Sequence, residues 1–560
     1  MTGVSPTGRS AGPSAATGDW LILLAIVLLG LALRLRYFNY FLVPDSDFFS
    51  LRATAVALMR GDAPPRFQRL PLYSSLMGGL APLFRGPDPI LTAAESVNLA
   101  AFVVATVFLY RLSARFLGRA AWVVALLFAM DGLGFHLTLQ PRTELPTVAL
   151  VILGCYVAMH RPATAYAPAA LAALTRYEGA FLIPALLARD LAFGPGRWRA
   201  WLLAGGASLG LGVWLWLNFR ATGHVNPYFA YVGGTTTAAG GAFLSVLVRA
   251  CLASVGLPAG GTTGAILGAL LGVLIVAGLV RMLRSSTRDA LPIVAFFVLT
   301  LALNLAFFSP TAEHAFLIIW ICQLAVVVSL AGLARVWAGL PVPAGSEPPS
   351  PWARWLLRAG LLVGALGLGW SAHHDGTRVA GATLAVAAVA VGAILTTVRV
   401  RRIPIAALLG VTIAIIPLAI RHDLLAVRDR LDGARYVKGA LRRAGEWFAA
   451  HARPNERMAV TEPWVVGAYG GATPQQAFVG TGTLAAAGPG GLAEELRRLD
   501  IDYVLWDSHV GTLPSTNFYY RDFRVDLLGQ LRDGRSSPDF ELLDTLRAGP
   551  SYAYLYRVRR

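Results

Sequence analysis

Lysine is nearly missing from this chain: of 48 basic residues only Lys438 is one, and the remainder are arginine. Cysteine is equally sparse. Cys155, Cys251 and Cys322 sit in or beside apolar stretches without CxxC or metal-ligand spacing, which excludes a disulfide framework. Charged residues make up only 14% of the 560, and no basic patch alternates with aromatics, so the formal charge of +17 does not point to nucleic acid. The glycine-rich pieces 467–471 and 488–491 lack GxGxxG or P-loop spacing and read as turns. Hydrophobic residues, by contrast, reach 56%, arranged in many runs near the roughly 20 residues that cross a bilayer. The chain reads as a polytopic α-helical membrane protein.

A Ser/Gly/Pro/Thr-rich tail over 1–19, expected to be disordered, precedes an apolar run from Trp20 to Phe38 that lacks a cleavage site and reads as a retained anchor. Further spans are expected at 93–113, 120–138, 143–160, a broken pair at 166–174 and 179–188, then 200–219, 263–283, 290–308, 315–336, 354–372, 379–397 and 403–420, about 13 in all. With the tail in the cytoplasm, the loops holding Arg111, Arg115 and Arg119, then Arg161, then Arg189, Arg197 and Arg199, then Arg281, Arg284 and Arg288, then Arg335 and Arg354, and Arg399 to Arg402 all fall inside, as the positive-inside rule requires. That orientation holds only if 166–188 makes two short passes. It leaves the loop 39–92 and everything after about 421 outside the plasma membrane. The expected division is therefore a cytoplasmic tail 1–19, a membrane domain 20–424 that includes the loop 39–92, and an extracytoplasmic α/β domain 425–560. In the last, 433–451 and 494–499 read as helices, and 457–460, 503–506 and 552–558 as short strands.

The loop 39–92 is more organised than a connector requires. Asp45 and Asp47 follow the first span at the membrane rim; Ser50–Met59 is an amphipathic helix; Gly61-Asp62-Ala63-Pro64-Pro65 breaks it; and a second apolar helix, too short to span, opens at Arg69-Leu70-Pro71-Leu72-Tyr73. Acids placed there are in water but beside lipid, where a lipid-carried substrate and a polar acceptor meet.

In its order of motifs the chain resembles the GT-C superfamily of membrane glycosyltransferases that use polyprenyl-phosphate sugars, including the protein O-mannosyltransferases and lipid A aminoarabinose transferases. The resemblance rests on the acidic motif after the first helix, the interfacial helix ending in Gly61-Asp62, the basic-Pro-Leu-Tyr step at Arg69–Tyr73, Asp131-Gly132-Leu133, Gln140-Pro141-Arg142-Thr143-Glu144, and Leu174-Thr175-Arg176-Tyr177-Glu178-Gly179. It implies transfer of a sugar from a polyprenyl-phosphate donor to a hydroxyl of a protein, lipid or glycan, by direct displacement with inversion. Many members carry adjacent Asp-Glu where this chain has Asp45-Ser46-Asp47. Counting back from Gly61-Asp62 favours Asp47 as the base, whereas distance from the first helix favours Asp45.

An acceptor hydroxyl is a poor nucleophile and needs a carboxylate within hydrogen-bond reach to take its proton, which is the role expected of Asp47 or Asp45. The departing phosphate needs fixed positive charge, supplied by arginine forks. Arg69, then Arg142, Arg176 and His314 are the candidates, with Asp131, Tyr73, Glu144, Glu178 and Glu313 as pocket residues. Each has a plainer reading. Asp45 or Asp47 is also suited to cap the helix starting near Phe48, Arg69 to snorkel, Asp131 to bond a neighbouring helix, and Arg176 to pair with Glu178. No motif names a cofactor; a divalent metal held by His136, Glu313 and His314 is an option without supporting spacing. Asn226-Pro227-Tyr228 could line an acceptor groove or form a turn, while His373, His374 and Asp375 read as a solvated turn. A transporter or flippase of lipid-linked sugars is the alternative; it predicts inverted repeats around broken helices, and only one broken pair is visible.

Overall fold

A computed structural model describes residues 13–64, 69–86, 88–194, 196–223, 225, 239–254, 260–307, 312–337, 435–471, 475–485, 491–512, 520 and 523–560. The chain divides into two compact units: Met1–Arg36 with Ser96–Thr138 and Thr143–Val427, and Tyr37–Glu95 with Leu139–Arg142 and Arg428–Arg560.

The first unit is helical. In chain order it holds α1 (Pro13–Leu35), most of α4 (Pro89–Leu117), α5 (Ala121–Met130), α6 (Gly132–Leu139), α7 (Glu144–His160), α8 (Tyr166–Ala173), α9 (Leu182–Phe193), α10 (Arg197–Thr222), α11 (Ala239–Ser254), α12 (Gly261–Ser285), α13 (Thr287–Phe307) and α14 (Ala312–Trp337); α2 (Ser46–Arg60) and α3 (Pro71–Leu80) belong to the second unit. Among the described residues five helical stretches are long and apolar enough to cross a membrane, or six if the bent pair α6–α7 counts as one span, against the thirteen expected. The expected spans 354–372, 379–397 and 403–420 lie outside the described residues, as do residues 226–228 and 373–375. Three differences have local causes. Helix α1 starts at Pro13, so residues 13–19 are helical where a disordered tail was expected. The apolar run 120–138 is interrupted because Asp131 leaves helical geometry and ends α5. Next, α6 and α7 meet at 116° across Gln140–Thr143, where Pro141 removes a backbone donor.

Burial sorts the spans. In α14, 83% of the apolar window is buried, around Phe316 and Trp320, which makes it the central helix of the bundle; in α10 only 22% is, and Trp198, Trp201 and Trp216 are exposed as lipid-facing aromatics would be. Where α12 crosses α14, a Cβ on Gly278 would stand 1.9 Å from the Ala325 carbonyl oxygen, so only glycine allows that approach.

The second unit joins the first loop to the C-terminal domain. Its five-stranded sheet runs β2-β1-β3-β5-β4, with β1 (Met458–Val460) parallel to β2 (Phe478–Gly480) and β3 (Tyr503–Asp507), and β5 (Ser551–Val558) antiparallel to β3 and β4 (Phe540–Ala548). Helices α15 (Gly439–His451) and α16 (Gly491–Arg498) pack their apolar sides on it through Phe448 and Leu496. Strands β2 and β4 were not expected. Loop helix α2 ends where Gly61 takes φ 75°, a left-handed cap that glycine adopts without cost. Phe49 from this helix meets Tyr469 edge-on at 5.9 Å, and Arg442 donates to the Leu42 carbonyl at 3.4 Å, which docks the loop on the sheet domain.

Candidate active site

The two loop acids are built from one turn. Asp45 is the N-cap of α2: its Oδ1 accepts the Asp47 backbone N–H at 3.1 Å, satisfying a donor that the first helical turn leaves open. The plainer reading of the acid pair is therefore realised in this residue, but its second oxygen is engaged elsewhere. Oδ2 accepts from Arg142 Nη2 at 2.7 Å, and the Asp45 backbone N–H donates to Gln140 Oε1 at 2.9 Å, so the short segment 139–142 grips the turn from two sides. Asp47, one residue into the helix, points to Arg69 and forms an ion pair with its Nη2. Arg69 Nε donates to Ser50 Oγ at 2.9 Å, and that hydroxyl donates to the Asp47 carbonyl at 2.8 Å, closing a ring that fixes the guanidinium.

Each acid thus carries one of the arginines expected to bind phosphate. Burial by itself would raise the Asp45 carboxyl, but Arg142, Lys438 and the capping N–H outweigh it and hold it well below the usual carboxylate range. Asp47 is also lowered: burial and the charge of Asp45 oppose, Arg69 and Arg142 prevail. The Asp47 side chain is 41% exposed against 26% for Asp45, so Asp47 is the more open of the two to an incoming hydroxyl.

Lys438 is the residue that sequence reasoning passed over. It is buried, its Nζ donates to Glu462 Oε2 at 2.7 Å, and its charge acts on Asp45. Burial would lower its pKa; Glu462 and Asp45 together raise it. The signal was present, since one lysine amid arginines is a departure from the chain's own usage. Glu95, buried and accepting the Asn39 backbone N–H at 2.8 Å, was passed over too. Tyr73 lies fully buried with its hydroxyl on the Ala94 carbonyl at 3.2 Å, which gives it a packing role in the loop.

In the helical unit, a second charged cluster gathers around Arg176, at the break between α8 and α9. Its Nη1 donates to Glu144 Oε1 at 2.6 Å and to Thr143 Oγ1 at 3.3 Å, while Nε and Nη2 fork onto Glu178 at 3.2 and 2.9 Å. His314 Nδ1 sits 2.9 Å from Glu178 Oε1 and 3.1 Å from Arg176 Nη2. Arg176 does pair with Glu178, as the plainer reading had it, but within a five-residue network in which Glu144 Oε2 is buried with no hydrogen-bond partner among the described residues. Asp131 is engaged structurally: Oδ1 accepts the Gly134 N–H at 2.7 Å, capping α6, and Oδ2 accepts from Gln323 on α14 at 3.3 Å. Glu313 is half-buried in the first turn of α14. Among the described residues no three His, Cys, Asp or Glu side chains gather as a metal site, so the ligand set His136, Glu313 and His314 is not assembled.

No protein-family model matches the sequence, and no curated protein does. Solved structures do match in fold. ArnT from Cupriavidus metallidurans in the apo state aligns with a TM-score of 0.53 at 15% identity, covering 97% of this chain and 98% of that one. The same enzyme bound to undecaprenyl phosphate aligns at 0.50 and 13% identity over 97% and 98% of the two chains. The oligosaccharyltransferase of Archaeoglobus fulgidus, with a TM-score of 0.48 at 12% identity over 96% of this chain and 74% of that one, is a looser match. The likeness to ArnT runs over nearly the whole length of both chains and is one of fold.

Proposed function

From a chain with the GT-C fold, we propose an integral membrane glycosyltransferase that moves a sugar from a polyprenyl-phosphate donor to a hydroxyl acceptor on the outer leaflet. The observation that carries this reading is the pair of acid–arginine couples, Asp47–Arg69 and Asp45–Arg142, on the loop after the first helix. The fold likeness to ArnT, whose structure holds undecaprenyl phosphate, supports a lipid-linked donor.

In the proposed reaction the acceptor O–H gives its proton to the Asp47 carboxylate, the acceptor oxygen forms a bond to the anomeric carbon, and the bond from that carbon to the phosphate oxygen breaks with its electron pair on phosphate. A carboxylate held down by a guanidinium is a weak base. Donor binding relieves this, because the phosphate draws Arg69 to itself and leaves Asp47 with a higher proton affinity at the moment a base is needed. Arg69 then meets the growing charge on the leaving group. Asp45, fixed by Arg142, Gln140 and its own cap, is the positioning residue that sets the turn on which Asp47 stands. The arginine distribution supports an orientation with the N-terminus and the arginine-rich loops in the cytoplasm and this site outside.

The test uses purified protein in liposomes carrying a labelled polyprenyl-phosphate sugar. A transferase releases polyprenyl phosphate and labels a hydroxyl acceptor; a flippase moves intact donor to the other leaflet. Donor translocation without release would overturn the assignment.

A further inference from the structure

At the arginine-rich loops of the helical unit, α7, α9, α10 and α13 frame a cavity of about 400 Å³ that the proposed transfer reaction does not use. This lies within the roughly 300–1,000 Å³ of small-molecule sites. Four arginines line it, Arg161, Arg189, Arg199 and Arg288, against one acid, Asp190. Arg161, Arg199 and Arg288 are exposed and belong to no ion pair among the described residues. Arg189 is different: only 2% exposed, it donates from Nε to the Arg288 carbonyl at 3.2 Å and from Nη1 to Asp190 at 2.7 Å, while its Nη2 is buried with no hydrogen-bond partner among the described residues.

A buried guanidinium nitrogen left open at the wall of a cationic cavity is costly unless an acceptor oxygen arrives. Helices α10 and α13 also begin beside the cavity, at Arg197 and Thr287, and their first-turn N–H groups add partial positive charge. One acid against four guanidiniums leaves room for a ligand of more than one negative charge or several acceptor oxygens, and Phe193 and Leu203 supply an apolar wall.

The geometry points to a binding site for a phosphate group, on the side that the arginine distribution assigns to the cytoplasm, with an anionic phospholipid headgroup or a free phosphate as its source. The apolar wall and the membrane setting favour the lipid. The site is independent of the transfer reaction: it occupies the helical unit alone, and none of its residues belongs to the loop site.

Binding is read by native mass spectrometry of the full chain with cardiolipin, phosphatidylglycerol or phosphatidylcholine, and by the Tm shift with inorganic phosphate. The variant R161Q/R199Q/R288Q removes three exposed charges and spares buried Arg189; R119Q/R220Q/R284Q removes the same charge at exposed positions outside the lining. At roughly fivefold per arginine, the first should weaken cardiolipin or phosphatidylglycerol on the order of a hundredfold, with the second close to the parent. A Tm rise with inorganic phosphate that only the lining variant loses identifies free phosphate as a sufficient ligand; no rise, with lipid binding lost, identifies the headgroup. Parent-like binding by the lining variant in both arms, or equal losses in both variants, overturns the site.

Discussion

Replacing the two loop acids one at a time separates a base from a residue that holds it. Asp45→Asn keeps an oxygen that can cap α2 but discards the charge facing Arg142 and Lys438. A hydrogen bond to a charged group contributes about 1.5–3 kcal/mol, and the Asp45 side chain is buried enough for a loss in that range. Asp47→Asn discards a half-exposed pair with Arg69, a contact of about 0–1 kcal/mol. Stability should therefore fall with Asp45→Asn and hardly move with Asp47→Asn. Activity should rank the other way. Loss of a general base costs roughly 10²- to 10⁴-fold, so Asp47→Asn should lose at least that much kcat while Asp45→Asn, corrected for its folded fraction, keeps more. Sugar release from labelled donor gives the rates, and fluorescence-detected size-exclusion after heating gives the stabilities. An Asp47→Asn protein that transfers at the parent's rate refutes the reasoning, and so does an Asp45→Asn protein that is as stable as the parent yet inactive, since that assigns the proton transfer to Asp45.

Further perturbations follow from the same contacts. Arg69→Ala should weaken donor binding about ten- to a hundredfold, as loss of a charge-assisted contact of 1.5–3 kcal/mol does, and leave acceptor affinity unchanged; equilibrium binding of each substrate separates the two. Arg176→Met strands Glu144, Glu178 and His314 around an uncompensated site and should destabilise the helical unit by about 3–5 kcal/mol, with Arg176→Lys a poor rescue because a single ammonium does not reproduce the fork; detergent Tm values check both. Asp45 and Asp47, lowered on folding, contribute stability fully above about pH 4, and lose it as pH falls through their depressed folded values; Lys438, raised on folding, contributes below about pH 10.5 and loses its share as pH rises beyond that. Stability from this set should thus be flat across neutral pH, and Lys438→Met should remove the alkaline limb in a pH series of Tm values.

Much of this was readable without coordinates. Hydrophobic run length marked a bundle of apolar helices, and the order of short motifs suggested a fold like the one found in ArnT. Gly61-Asp62 marked the end of α2 because glycine takes the left-handed cap freely. Continuity of the spans was misjudged for a physical reason. An apolar run registers length alone, and Asp131 ends a helix inside the run expected at 120–138. Strand β2 is three residues long, and β4 is an edge strand whose register shifts between Leu542 and Asp544, which breaks the alternation of its apolar residues, so neither raised a periodic signal.

What the sequence by itself determined is local: which segments prefer lipid, where helices start and break, and which turn carries two acids. Only the tertiary structure decided the partners. Asp45 meets an arginine 97 positions away, Glu178 a histidine 136 away, and the lone lysine's charge reaches the loop acid from the far C-terminal domain. Spacing along a helix or strand encodes neighbours a few residues apart, whereas these pairs exist because burial leaves a charge no alternative to finding its counter-charge wherever packing brings it.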